Sequence, residues 1–85
     1  MEYYILFQRG GTWDDAWDVE CVVIGRENAD NLFDEWVESA QRDDNYNPAD
    51  YITMQEAVVS NNGRIVPKEQ YKYLREWDDM RGEAQ

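Results

Sequence analysis

Apolar and polar side chains alternate with a period of two in two segments near the start of the chain. Residues 2–9 place tyrosine, isoleucine and phenylalanine on one side, and residues 17–24 alternate in the same way before becoming apolar on both sides. Each segment is therefore predicted to be a β-strand. The connection of residues 10–16 is short and begins with two glycines, which predicts an antiparallel hairpin.

The clearest periodicity is helical and covers residues 29–42. Apolar side chains recur there at intervals that form one stripe along a helix, and the opposite side is polar. Asn28 is suited to cap the amino terminus of this helix, and Asp30 adds a favourable negative charge to its first turn. The apolar stripe consists of Leu32, Phe33, Trp36, Val37 and Ala40.

Residues 51–63 support two interpretations. The first part of this segment is rich in β-forming side chains, and Asn62-Gly63 is typical of a hairpin turn between two strands. In the alternative, Thr53 and Glu56 form the capping box of a short helix that ends near the glycine. We favour the hairpin and leave strand or helix open at this point.

A second helix is predicted for residues 68–80. Pro67 suits its first turn, and Tyr71, Leu74 and Trp77 fall at intervals of three that mark a buried side. The order of elements is then β-β-α-β-β-α. It predicts an α+β fold in which a four-stranded, largely antiparallel sheet packs two helices on one face.

Chain length indicates a single domain. The 85 residues match one small folding unit, and aromatic side chains make up 14% of them, which supplies a substantial core. We expect residues 1–81 to form one compact α+β domain and residues 82–85 to fray.

Charge changes this picture more than any motif does. There are 19 acidic and 8 basic residues and no histidine, which gives a formal net charge of -11. Nucleic acid and anionic membranes repel such a chain, whereas basic protein surfaces attract it, including the nucleic-acid channels of other proteins. Two plainer interpretations are that the acidity serves solubility or that it reflects adaptation to high salt.

Missing residue types exclude most catalytic designs. Without histidine there is no Ser-His or Cys-His pair, and the single cysteine, Cys21, excludes a Cys-based zinc site. Cys21 lies in an apolar run and is interpreted as a structural thiol. Asp43, Asn45 and Asn47 imitate the first half of a calcium loop, but Pro48 stands where such a loop needs glycine. We predict no enzyme activity, no cofactor and no metal site.

Two acidic stretches supply the candidate binding residues. The predicted hairpin tip interleaves tryptophan with carboxylates, a combination that holds a lysine or arginine side chain by cation–π contact and ion pairing. The exposed side of the first helix carries a row of carboxylates whose mutual repulsion a functional surface would explain. The predicted partner-binding residues are Trp13, Asp14, Asp15, Asp30, Asp34, Glu35, Glu38, Asp43 and Asp44.

These observations predict a non-catalytic acidic binding protein. It would inhibit its partner by occupying a basic, nucleic-acid-binding surface, in the manner of a nucleic-acid mimic. The expected partner is a nucleic-acid-handling enzyme, with no direct binding to nucleic acid or to membranes. Small acidic antagonists encoded by phages offer an analogy of size and charge alone, and no family motif accompanies it.

Two other classes of function stay open. A structural or assembly adaptor would dock through exposed aromatics such as Trp13, Tyr46 and Tyr73, and its acidity would then serve only solubility or high-salt adaptation. A small enzyme would need a carboxylate with a raised pKa in a pocket, and no pair of carboxylates is singled out by its spacing. The chain shows no basic leader and no apolar run of about 18 residues, so we expect a cytoplasmic location.

Overall fold

The computed structural model of the chain describes residues 1–11, 14–42 and 49–84. Within these residues the chain forms one antiparallel sheet of six strands and one α-helix. In chain order the elements are β1 (Tyr3–Gly10), β2 (Trp17–Ile24), α1 (Arg26–Arg42), β3 (Ala49–Val59), β4 (Ile65–Pro67), β5 (Arg75–Asp78) and β6 (Gly82–Ala84).

β1 and β3 form the centre of the sheet. The strand order is β2-β1-β3-β5-β6, and β4 also pairs with β3. β3 is long enough for both neighbours, because the stretch from Tyr51 to Met54 pairs with β5 and the last three residues pair with β4. β1 pairs along its whole length with β2 on one side and β3 on the other. β2 is therefore an edge strand.

α1 packs across one face of the sheet, which we call the covered face. Alternate residues of β1 and β3 point toward the helix, and Phe33 of α1 and Trp77 of β5 complete the same cluster. Removing this apolar surface from water is the main force that holds the helix on the sheet. The buried cluster consists of Tyr4, Leu6, Ala29, Phe33, Ile52, Met54 and Trp77.

The strand interpretation of residues 51–59 is confirmed. β3 and β4 form a hairpin whose turn contains Gly63 with φ of 82°, a conformation that glycine adopts without strain. Glu56 lies on the covered face among apolar neighbours, but it is only half-buried. Its carboxylate lies 3.3 Å from the Lys68 ammonium, which compensates its charge.

α1 begins at Arg26, so the prediction that Asn28 caps a helix starting at residue 29 is wrong. Gly25 precedes the helix with φ of 92°, and its carbonyl accepts a hydrogen bond from the Ala29 N–H at 3.0 Å. The Asn28 side chain instead donates to the carbonyl of Ile24 at 2.9 Å. It therefore ties the first turn of the helix to the end of β2.

The predicted four-stranded sheet with two helices is wrong, although the α+β class is correct. Residues 68–80 do not form a helix: Tyr71 has φ of 64°, which is outside the helical region, and is 77% exposed although the prediction placed it on the buried side. The chain instead forms the β5–β6 hairpin, in which Trp77 pairs with Ile52 and alternates with polar neighbours. The spacing of three among Tyr71, Leu74 and Trp77 fits a helix, but here it arises by coincidence. Residues 82–84, which we expected to fray, form β6.

The opposite face of the sheet, which we call the open face, is not covered by a helix or a second sheet among the residues that the structure describes. Val22, Ile24 and Val59 are exposed on it. Ile5 also lies on this face, between Val22 and Gln55, and is buried. Among the described residues the fold thus has two layers, which are the sheet and α1.

Candidate binding surface

Asp30 and Asp34, which we predicted to bind a partner, are engaged within the fold. Asp30 lies 3.2 Å and Asp34 lies 2.7 Å from guanidinium nitrogens of Arg75 on β5, and Glu83 of β6 contacts the same guanidinium. The Arg75 side chain is only 18% exposed, and it stacks 4.3 Å above the ring of Phe33. This cluster joins α1 to the β5–β6 hairpin.

The pKa of Arg75 reflects these contacts. Burial lowers it, but hydrogen bonds to Asp34 and Glu83 outweigh burial and hold the pKa above its ordinary value. Arg75 therefore stays charged and neutralises part of the row of carboxylates on α1, which we call the helix row. Two of its three carboxylate partners, Asp34 and Asp30, are 41 and 45 residues away along the chain, so no local pattern marks the link to α1.

The remaining predicted helix carboxylates differ from each other. Glu38 pairs with Arg42 one turn further along the helix, in an exposed ion pair. Glu35 is exposed and forms no ion pair with any residue that the structure describes. The helix row is therefore a mixture of compensated and uncompensated charges and does not form a continuous anionic ridge.

The predicted hairpin-tip residues are described in part. Asp14 and Asp15 lie in the turn between β1 and β2, where both are exposed. Trp13, Asp43 and Asp44 lie outside the described residues. The proposed grip of Trp13 on a cationic side chain is therefore untested by the structure.

The strand register brings six aspartates to one end of the sheet. The β1–β2 turn, the start of β3 and the β5–β6 turn all lie at this end, because Gly10 pairs with Ala49 and Tyr51 pairs with Asp78. A backbone hydrogen bond of 2.9 Å from Asp79 to Asp50 joins the last two segments. We call this surface the acidic end; its carboxylates are Asp14, Asp15, Asp18, Asp50, Asp78 and Asp79.

Among the described residues, two cations pair with these aspartates. Arg9 donates hydrogen bonds of 2.7 and 3.0 Å to Asp18, and the Nε of Arg81 donates one of 2.9 Å to Asp78. The Arg9 guanidinium lowers the pKa of Asp18. The backbone N–H of Arg81 and then its side chain lower the pKa of Asp78. Asp14, Asp15, Asp50 and Asp79 have no cation partner among the described residues.

The other end of the sheet is close to electrical neutrality. It comprises the start of α1, the β3–β4 turn and the segment that follows β4. Lys68 pairs with Glu56, and Lys72 pairs with Glu69 at 3.3 Å. This neutral end carries four carboxylates and four cations, which are Glu2, Glu27, Glu56 and Glu69 with Arg26, Arg64, Lys68 and Lys72. The molecule is therefore electrically polar along its strands.

The acidic end continues onto the open face as rows of paired residues. Phe7 lies between Glu20 and Thr53, and Thr53 pairs in turn with Glu76. The rings of Phe7 and Tyr51 are 5.9 Å apart, so an aromatic pair lies between the carboxylates of the two flanking strands. Such a surface offers both apolar contact and charge compensation to a cationic side chain.

A cleft of about 460 Å³ extends this surface toward β6. Tyr51, Tyr73 and Glu76 line it together with Thr53 and Asp78. Glu76 has no cation partner among the described residues, whereas Asp78 is held by Arg81. The sequence interpretation missed this region because it assigned residues 68–80 to a helix; their alternation of charged residues with Trp77 was the available signal.

Metal-ligating side chains do not cluster among the described residues. Within them no group of three or more acidic, cysteine or histidine side chains is placed to hold a metal ion. Burial and then the nearby Glu20 raise the pKa of Cys21, so its thiol is a poor nucleophile. Nor does any described helix combine the length and hydropathy of a bilayer span.

Comparison with known proteins adds no identity. No protein-family model, no curated protein and no solved structure matches the chain.

Proposed function

We propose that this chain is a non-catalytic acidic binding protein that occupies a basic, nucleic-acid-binding surface of a partner protein. The acidic end and the adjoining part of the open face form the contact surface. They compete there with the nucleic acid of the partner. A cytoplasmic location belongs to the same proposal.

The observation that supports this function is the distribution of uncompensated charge. The structure describes 17 of the 19 carboxylates, and eight of them form ion pairs with seven of the cations. Four of the other nine lie at the acidic end, and two flank the aromatic pair of the open face. A charge that served solubility alone has no need to concentrate on one side of the molecule.

The adaptor function is the second candidate, and the exposed apolar residues favour it. Val22, Ile24 and Val59 are each about half exposed on the open face, and Tyr73 is 37% exposed beside the cleft. A partner that docks on these side chains by apolar burial would bind almost independently of salt. The dependence of binding on salt therefore separates the two functions.

The test is capture of partners from a lysate by the tagged protein, followed by elution in steps of increasing salt. We expect nucleic-acid-binding proteins to elute early, and we expect the added protein to displace duplex DNA or RNA from each purified partner. Competition is required, because capture alone does not show that the nucleic-acid site is occupied. Partners that survive high salt and retain their nucleic acid would support the adaptor instead.

Two matched variants locate the contact surface. One changes Asp14, Asp15 and Asp79 to Asn, and the other changes Glu2, Glu27 and Glu35 to Gln. Both raise the net charge equally by removing carboxylates without a described cation partner. We expect the first to lose competition and the second to keep most of it. Equal losses would show that total charge, and not the acidic end, attracts the partner.

A further inference from the structure

β2 is the longest unpaired edge of the sheet. It has eight residues, which extend over about 27 Å, whereas β4 and β6 have three residues each. Among the described residues β2 pairs only with β1. An edge of this length exposes a row of backbone donors and acceptors that a further strand can satisfy.

The register shows which backbone groups of β2 point outward. Gly25 donates to the carbonyl of Glu2 at 2.9 Å, so these two residues form a hydrogen-bonded pair of the β1–β2 ladder. Such pairs alternate, and the intervening residues of β2 therefore direct N–H and C=O away from β1. The outward residues are Asp18, Glu20, Val22 and Ile24.

A side-chain contact supports this assignment. The carbonyl of Ile24 accepts the hydrogen bond from Asn28, as an outward carbonyl can. The N–H of Ile24 and both backbone groups of Asp18, Glu20 and Val22 have no hydrogen-bond partner among the described residues. Seven adjacent backbone groups are therefore available along one edge.

β2 lacks several of the features that protect an edge strand, although Asp18 and Glu20 place charge on its first half. It contains no proline and no lysine, and its pairing with β1 runs without a bulge. Its outward residues also have their side chains on the open face, where Val22 is 46% exposed. The edge therefore offers backbone hydrogen bonds beside a strip that is acidic in its first half and apolar in its second.

We propose that the edge of β2 receives an extended segment of the partner protein as an added antiparallel strand. The segment places basic side chains opposite Asp18 and Glu20, and apolar side chains opposite Val22 and Ile24. We propose that the added strand runs antiparallel to β2, because the strands of the described sheet pair in this way and antiparallel pairing is more stable per residue than parallel pairing. The inference deepens the proposed function, since it rests on a basic partner.

A second copy of the chain does not fit this edge. A two-fold antiparallel pairing of β2 with itself must place open-face residues opposite open-face residues. In every such register with five or more paired residues, a carboxylate lies opposite another carboxylate or opposite an apolar side chain. With Cys21 at the centre, for example, Glu20 faces Val22 and Asp18 faces Ile24. Neither arrangement compensates the charge, and the net charge of -11 repels the copies further.

The first test uses two synthetic peptides of identical composition. The probe reads Thr-Val-Thr-Val-Thr-Lys-Thr-Lys-Thr from its amino terminus, and the control exchanges its valine and lysine positions. We expect the probe to bind about tenfold more tightly, because only it matches charge to charge in the antiparallel register. Equal affinities would show that net charge alone accounts for the binding. Tighter binding of the control would overturn the antiparallel direction. Absence of binding by both peptides would overturn the inference.

Backbone methylation separates strand addition from side-chain attraction. The N–H groups of the valine and lysine residues in the probe point toward β2, whereas those of the central threonines point away. N-methylation at the first set should abolish binding, and N-methylation at the central threonines should leave it nearly unchanged. The inference fails if both sets have the same effect.

A matched pair of variants tests the same hydrogen bonds from the protein side. Val22→Pro removes an outward N–H without removing a bond to β1, and Val22→Ala truncates the side chain but keeps the N–H. We expect loss of peptide binding for Val22→Pro and a few-fold weakening for Val22→Ala, with both variants folded by circular dichroism. Should Val22→Pro unfold, the methylated peptides still decide the question. If neither peptide binds but salt-dependent capture of partners is retained, the added strand is overturned and the proposed function is not.

Discussion

On the covered face, five side chains of the sheet pack with Ala29 and Phe33 of α1 in one buried cluster, whereas the open face carries an aromatic pair between carboxylates of its flanking strands. Both faces belong to the same strands, since successive side chains of β1 and β3 point in opposite directions. The covered face holds the fold together by apolar burial. No described element packs against the open face, and we therefore place the proposed contact surface on it.

The largest expected difference between the faces follows from a truncation in the core. Phe33 is completely buried, so Phe33→Ala should cost about 3–5 kcal/mol of unfolding free energy through lost burial and a cavity. Urea unfolding followed by tryptophan fluorescence measures this change. A loss below about 1 kcal/mol would show that α1 is only loosely held on the sheet.

The next effect concerns the link between α1 and the β5–β6 hairpin. Arg75→Leu leaves Asp30, Asp34 and Glu83 without their shared cation and should cost about 1–3 kcal/mol. Because the remaining carboxylates then repel one another, added salt should restore part of the loss. Arg64→Leu is the control, since Arg64 forms no ion pair with a described residue. Equal costs would contradict a special role for Arg75.

A pH effect tests the acidic end, where it adjoins the open face at Asp78. The folded-state pKa of Asp78 is lowered by the backbone N–H of Arg81, so its contribution to stability is present above the unfolded-state pKa of about 3.9. That contribution is lost as pH falls through the lower folded-state value. Asp78→Asn should therefore lose less stability between neutral and acidic pH than the original chain does.

The control for this titration is Asp79→Asn, because Asp79 is the neighbouring aspartate and forms no described ion pair. Urea unfolding midpoints at several pH values measure both variants. If Asp79→Asn flattened the profile as much as Asp78→Asn, the hydrogen bonds to Arg81 would not be the cause.

The smallest expected effect lies on the apolar half of the open face. Val22→Thr keeps the branched shape and a β-forming side chain at an exposed position, so stability should change by no more than about 0.5 kcal/mol. The same variant should weaken a partner that docks on this strip. A large loss of stability would show that the strip is already covered within the molecule.

The local sequence pattern correctly predicted those elements whose structure depends on residues close together in the chain. Alternation identified β2 with its correct bounds, and the apolar stripe identified α1 apart from its first turn. Asn62-Gly63 correctly favoured the β3–β4 hairpin. In residues 68–80 the same reasoning failed, because Tyr71, Leu74 and Trp77 match a helical spacing while Trp77 is a strand residue packed opposite Ile52.

The candidate site shows the same division. Sequence pattern identified an acidic surface and named Asp14 and Asp15, which lie at the acidic end. It also named Asp30 and Asp34, whose charge the Arg75 cluster partly neutralises. Asp50 and Asp79 were not selected, because they come together only through the pairing of β3 with β5.

By itself, the sequence of this protein determined the acidity, the first two strands and the helix, and it favoured the β3–β4 hairpin over a short helix, because these features depend on neighbouring residues. Tertiary structure alone decided that β5 and β6 form a hairpin, that no described element covers the open face, and which of the described carboxylates have no cation partner. Those features depend on contacts such as Arg75 with Asp30, between residues 45 positions apart. Local periodicity does not encode such contacts, since they form only when the strands pair and the helix packs.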